Sequence, residues 1–150
     1  MGAWGEGMQA NDTALDYVAK YQNTSKEGLP LNKRGKDVVD GKLPILKELQ
    51  AILKREDGMN GYGAMAILGV AEFFLDNGAD LKSARSLIMR AIKNQLSKEE
   101  LGTWGDMEMR RDAIERFKAR LMGKKVDPKE VAKDNEGLFA KMGKFLGERK

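Results

Sequence analysis

The chain has 150 residues, 41% of them apolar and 33% charged, with a formal net charge of +4, the size and composition of one globular domain rather than of a disordered segment. It contains no Cys and no His, which excludes disulfides, zinc–thiolate sites and nucleophilic triads of the Ser-His-Asp or Cys-His type. Catalysis would have to rest on carboxylates, Lys, Tyr or a hard metal ion, so binding is the favoured expectation. No run approaches the roughly 18–20 apolar residues of a membrane span. The opening MGAWGEG has neither the basic nor the apolar region of a secretory signal. A cytoplasmic protein with no membrane span is therefore expected.

After the Gly-rich opening, Asn11 reads as the N-cap of a first helix over about 12–22, with Asp12, Thr13 and Asp16 in its first turn, where carboxylates complement the helix dipole. Ala14, Leu15, Val18 and Tyr21 give that helix an apolar side. Residues 23–42 are polar and carry Gly28-Leu29-Pro30, then Lys33, Arg34 and Lys36. They read as a long connection with a short helical turn around Asp37–Asp40. Pro44 suits the first position of the next helix, whose Ile45, Leu46, Leu49, Ile52 and Leu53 form a core-facing stripe. Asp57-Gly58-Met59-Asn60-Gly61 ends it. From Tyr62 to Leu75 the chain is apolar on nearly every side, which predicts a helix at the centre of the bundle, stopped by Asn77-Gly78.

Asp80 is expected to cap a helix bearing Leu81, Ala84, Leu87, Ile88, Ala91 and Ile92. Ser97-Lys98-Glu99-Glu100 has the form of a capping box opening a short helix. Met107–Met122 follows with Ile114, Phe117 and Leu121 inward. Asp127-Pro128-Lys129-Glu130 is a further strong start signal, leading into a helix with Val131, Leu138, Met142 and Phe145. No window alternates with period two. The expected fold is all-α, a compact bundle of about six helices with no sheet, divided into a core domain 1–126 and an appended amphipathic helix 127–150.

Trp4-Gly5-Glu6-Gly7 followed by Asn11-Asp12-Thr13-Ala14-Leu15-Asp16 resembles the opening W-G-x-G…N-D-x-A-x-D pattern of a bacterial and phage-associated family, domain of unknown function forty-two fifty-nine. The similarity extends more loosely through the apolar helix at 64–75, through Ala91-Ile92, Ser97, Glu100-Leu101 and Trp104, and through Ile114, Phe117 and Leu121. It covers roughly residues 1–121. The resemblance implies a bacterial or phage setting and transfers neither an activity nor a residue role. Trp4, Asn11, Asp12, Asp16 and Trp104 stand out as its structural motif.

Three constellations bear on function. Glu6, Asp12 and Asp16 are the candidate metal ligands, since Asp12 and Asp16 stand at i, i+4 and oxygen ligands alone suit Ca²⁺ or Mg²⁺. Helix capping and dipole compensation explain the same residues more simply, so no metal, cofactor or catalytic residue is assigned. Gly58, Gly61 and Gly63 precede a helix start but lack the Lys-Ser/Thr of a phosphate loop, and read as a turn. The final helix combines Lys129, Lys133, Lys141 and Lys144 with Leu138, Phe139, Met142, Phe145 and Leu146, a basic amphipathic pattern that fits a partner groove or an anionic surface. Leu138, Lys141, Met142, Lys144 and Phe145 are its candidate partner-binding residues.

The expected function is a non-catalytic helical module that binds another protein, one concrete version being an immunity-like or anti-defence inhibitor of a bacterial protein. A nucleic-acid-associated protein is the first alternative, because residues 108–150 hold 13 basic and 8 acidic residues. Their interleaving predicts only weak, non-specific binding. A His-free carboxylate or metal-dependent enzyme is the second alternative. Homo-oligomerisation stays open.

Overall fold

The computed structural model describes residues 8, 12–23, 30–104 and 106–123, with the side chain of Asp12 left aside. The described residues form an all-α bundle of seven helices: α1 (Asp12–Val18), α2 (Lys33–Val39), α3 (Ile45–Arg55), α4 (Gly61–Asp76), α5 (Arg85–Gln95), α6 (Lys98–Leu101) and α7 (Met107–Leu121). Short 3₁₀ turns, Ala19–Tyr21 and Lys82–Ala84, extend α1 and lead into α5. Among the described residues no strand forms, and a single antiparallel bridge pairs Gln22 with Leu31. No helix among them is long and apolar enough to cross a membrane.

The apolar helix predicted for the centre is α4. Its residues Gly63–Phe74 are all buried, and it packs against α1, α3 and α5. Asn60 caps its start by accepting a 2.8 Å hydrogen bond from the Gly63 amide. The chain reaches Asn60 through left-handed residues Asp57 (φ 61°) and Gly58 (φ 107°). Gly69 lies where α4 meets α1: a Cβ there would stand 2.3 Å from the Ala14 Cβ and 3.1 Å from the Met8 carbonyl oxygen. Only glycine lets the two backbones come this close. On the far side α5 packs on α7, and Arg120 of α7 reaches back to Glu72 and Asp76 of α4.

The connection expected over 23–42 contains more helix than a turn. Asn32 accepts a 2.9 Å bond from the Gly35 amide and donates to the Lys20 carbonyl at 2.7 Å, so α2 starts at Lys33, ahead of the turn expected at Asp37. Its weak sequence signal has a simple cause, since only Gly35 and Val38 of its seven residues are buried. Asp80 accepts from the Lys82 amide at 2.9 Å just ahead of the 3₁₀ turn, whereas α5 starts from Ala84 without a side-chain cap. The capping box at Ser97 is half formed: Ser97 Oγ accepts from the Glu100 amide at 3.4 Å, while the Ser97 amide bonds to the Asn94 carbonyl. The Glu100 carboxylate lies against Gly61, where a Cβ would be 2.6 Å from either oxygen. It thus faces the positive end of the α4 dipole. The appended helix expected over 127–150 lies outside the described residues.

Candidate functional site

Two concavities flank α4, and each is built from a different set of helices. The first lies between α1, α2 and α3. Tyr17 and Tyr21, one helical turn apart, bury their rings (6% and 2% exposed), and Tyr21 meets Phe74 edge-on at 4.8 Å. Their hydroxyls reach across to α3: Tyr17 donates to Glu56 and Tyr21 donates to Glu48 Oε1 at 3.2 Å. Glu48 is itself buried, and its two oxygens also accept a fork from Arg34, Nε at 2.8 Å and Nη2 at 3.0 Å. A bidentate guanidinium–carboxylate pair fixes orientation as well as charge. Arg34 is aimed by the way α2 is seated. The Asn32 amide bonds to the Tyr21 carbonyl at 2.9 Å, and Gly35 sits so close that a Cβ would be 2.4 Å from that same oxygen.

Burial, followed by the hydrogen bond and charge of Glu56, pushes the Tyr17 phenol up to about 12. Burial and then Glu48 likewise raise Tyr21. Both phenols therefore stay protonated at neutral pH and act as donors. Lys20 Nζ lies 4.8 Å from the Tyr17 ring centroid and the Arg55 guanidinium 6.0 Å from it, within the range of cation–π attraction. Burial, then Arg55, then Arg34, lower the Lys20 ammonium from its ordinary value, against an opposing pull from Glu48. Lys20, Tyr21, Arg34, Glu48 and Arg55 line a cavity of 530 Å³ with Ala51 and Ile52.

The second concavity is a groove of 710 Å³ along α5 and α7. Met89, Ile92 and Leu96, at i, i+3 and i+7, supply apolar surface. Arg90 and Lys93 from α5 and Lys118 from α7 supply positive charge, and Ser97 completes the lining. No carboxylate is among these lining residues.

A buried polar node beneath α5 serves the scaffold. Arg110, fully buried, stacks its guanidinium 3.9 Å from the Trp104 ring centroid and donates to Gln95 Oε1 at 2.9 Å. Gln95 in turn donates to the Gly61 carbonyl at 3.2 Å, so one chain of contacts joins α7, α5 and the start of α4.

No family model, curated protein or solved structure matches the chain. The site is therefore read from its own geometry.

Of the residues singled out in the sequence, Trp104 is buried under Arg110, and Asp16 is exposed on α1. Trp4, Glu6 and Asn11 lie outside the described residues, as does the Asp12 side chain, so of the three candidate metal ligands Glu6, Asp12 and Asp16 only Asp16 is described. Leu138, Lys141, Met142, Lys144 and Phe145 also lie outside them. Among the described residues no three carboxylates gather as a metal site would require. Glu48, Gln95 and Arg110 were not singled out, yet each had a signal. Glu48 falls at i+3 from Ile45 and i−4 from Ile52, on the apolar stripe of α3. Arg110 falls at i−4 from Ile114 and i−7 from Phe117, and Gln95 follows Ile92 by three. A charged or amide side chain on a core stripe must find a buried partner.

Proposed function

We propose that the chain is a non-catalytic protein-binding module whose α5–α7 groove receives an acidic amphipathic segment of another protein. The observation that carries this reading is the groove itself: an apolar stripe bordered by Arg90, Lys93 and Lys118, with no acidic residue among the described residues that line it. Helix-in-groove recognition needs that combination of apolar floor and complementary rim. Charge argues against the chain's own tail as occupant, because residues 124–150 hold 8 basic and 5 acidic residues and share the sign of the rim. The lining favours protein over nucleic acid, since among the described residues no aromatic side chain lines the groove to stack a base. An immunity-like or anti-defence inhibitor is one concrete form of this proposal. Membership of the family that the opening motif resembles belongs to it too and brings no activity with it.

Fluorescence anisotropy with a labelled Leu/Glu amphipathic peptide, and a Leu/Lys peptide as control, tests the reading. The acidic peptide should bind saturably and lose about tenfold in affinity in Lys93→Glu. Lys47→Glu, on the exposed side of α3, should leave binding unchanged. Absence of saturation, or equal weakening by both variants, refutes it.

A further inference from the structure

We propose that the cavity between α1, α2 and α3 is a second binding site, independent of the groove, for a small phosphomonoester. Three cations, Lys20, Arg34 and Arg55, come to one 530 Å³ cavity from three separate elements. That volume suits a small molecule rather than a polymer. The single carboxylate in the lining, Glu48, already accepts from Arg34 and Tyr21. Among the described residues neither Lys20 nor Arg55 has an ion pair. The lining thus carries positive charge in excess, held by elements whose placement is fixed elsewhere.

Burial first, and then the nearby Arg55 and Arg34, lower the Lys20 ammonium, so part of that shift reflects like charges gathered in one cavity. A dianion would relieve the repulsion. The geometry supplies its donors: the Arg34 guanidinium is locked by Glu48 through Nε and Nη2, which leaves its remaining N–H groups for a ligand. Lys20 and Arg55, 4.8 and 6.0 Å from the Tyr17 ring centroid, bring further donors to the same cavity. Ala51 and Ile52 provide apolar surface beside the charges, so a phosphate carried on a small apolar body fits better than inorganic phosphate alone.

The test is calorimetric titration of the full chain with phenyl phosphate, inorganic phosphate and uncharged benzyl alcohol. Phenyl phosphate should saturate, inorganic phosphate should bind more weakly, and benzyl alcohol should not bind. Lys20→Gln and Arg55→Gln should each reduce affinity about tenfold, as loss of one charge-assisted donor implies. Lys54→Gln, which removes the same charge from the exposed face of α3, should change it by less than about twofold. Because Lys20 and Arg55 are exposed, both variants should fold, and thermal unfolding without ligand should show midpoints equal to or above that of the parent. Failure to saturate by about 10 mM phenyl phosphate overturns the proposal. So does equal weakening in Lys54→Gln, or a fall in the unliganded midpoint that marks the cations as structural.

Discussion

Gly69→Ala tests whether the crossing of α1 and α4 is as tight as its geometry implies. At an unhindered helix position the change stabilises by roughly 0.8–1.0 kcal/mol, because alanine restricts the unfolded chain and favours helix. At Gly69 the new methyl would lie 2.3 Å from Ala14 Cβ, 3.2 Å from Ala14 Cα and 3.1 Å from the Met8 carbonyl oxygen. Non-bonded carbons prefer about 3.5–4.0 Å, so α1 would have to withdraw by about 1 Å. None of the three obstructing atoms can rotate aside. Such overpacking costs about 1–3 kcal/mol, and the immobility of the obstacles places this site in the upper half of that range. After the propensity gain the net loss is about 1–2 kcal/mol, or roughly 2–8 °C in Tm for a chain of this size. Urea and thermal unfolding followed by circular dichroism measure it. Ala14→Gly alone should cost about 1 kcal/mol. The double variant should be more stable than the sum of the two by a similar amount, because the methyl–methyl clash is gone. A Tm that rises in Gly69→Ala would refute the reasoning and mean that α1 does not rest on Gly69.

The phenols fix a pH dependence. Tyr17 is raised from 10.0 to about 12 and Tyr21 is raised as well. The unfolded chain therefore releases these protons first, and their stabilisation, full below pH about 10, is lost as pH climbs through the folded values. Lys20 acts in the opposite sense, its lowered value adding stability as pH rises toward the ordinary lysine value. Urea midpoints taken between about pH 8 and 12 should fall above about pH 10, and Tyr17→Phe should flatten the fall; a parent curve that stays level would contradict the burial of these hydroxyls. Arg110→Ala should cost more than about 2 kcal/mol, since it opens a cavity under Trp104 and strips the buried Gln95 of its donor. Denaturant titration decides it, and a loss below about 0.5 kcal/mol, as at an ordinary surface position, would show that the guanidinium is not part of the scaffold.

Helices with a strong apolar signature were legible in the sequence because burial writes itself at helical spacing. The stripe of α3 and the all-round apolarity of α4 translate directly into contacts with the core. Elements held by other means were not legible. α2 buries a glycine and one valine, and it stands because Asn32 satisfies both its first turn and the Lys20 carbonyl, a contact that depends on where the chain before it has gone. The Ser97 capping box failed in one half for a related reason. Glu100, which spacing assigns to Ser97, instead faces the start of α4, where the amides at a helix N-terminus attract a carboxylate, and the Ser97 amide finds the Asn94 carbonyl. Local pattern states what a side chain can satisfy, and tertiary placement chooses among the options.

The same distinction explains why the cation cluster leaves no trace in the sequence. Lys20, Arg34 and Arg55 lie on three separate elements, all three are exposed, and each taken alone is an ordinary solvated charge. What turns them into a site is a run of close backbone approaches that the sequence marks only faintly. Gly69 lets α1 settle on α4, which fixes Tyr17 and Tyr21; the Tyr21 carbonyl then receives the Asn32 amide, and Gly35 admits α2 against it. That seats Arg34 opposite Glu48, the one carboxylate on the buried stripe of α3, whose two oxygens are thereby occupied. Among the described residues Lys20 and Arg55 form no ion pair. The legible signal was Glu48, an acid on a core stripe, and following its demand for partners leads to Arg34 and Tyr21 of the same cavity. The glycines set the distances, the buried carboxylate sets the orientation, and the surplus positive charge is what remains for a ligand.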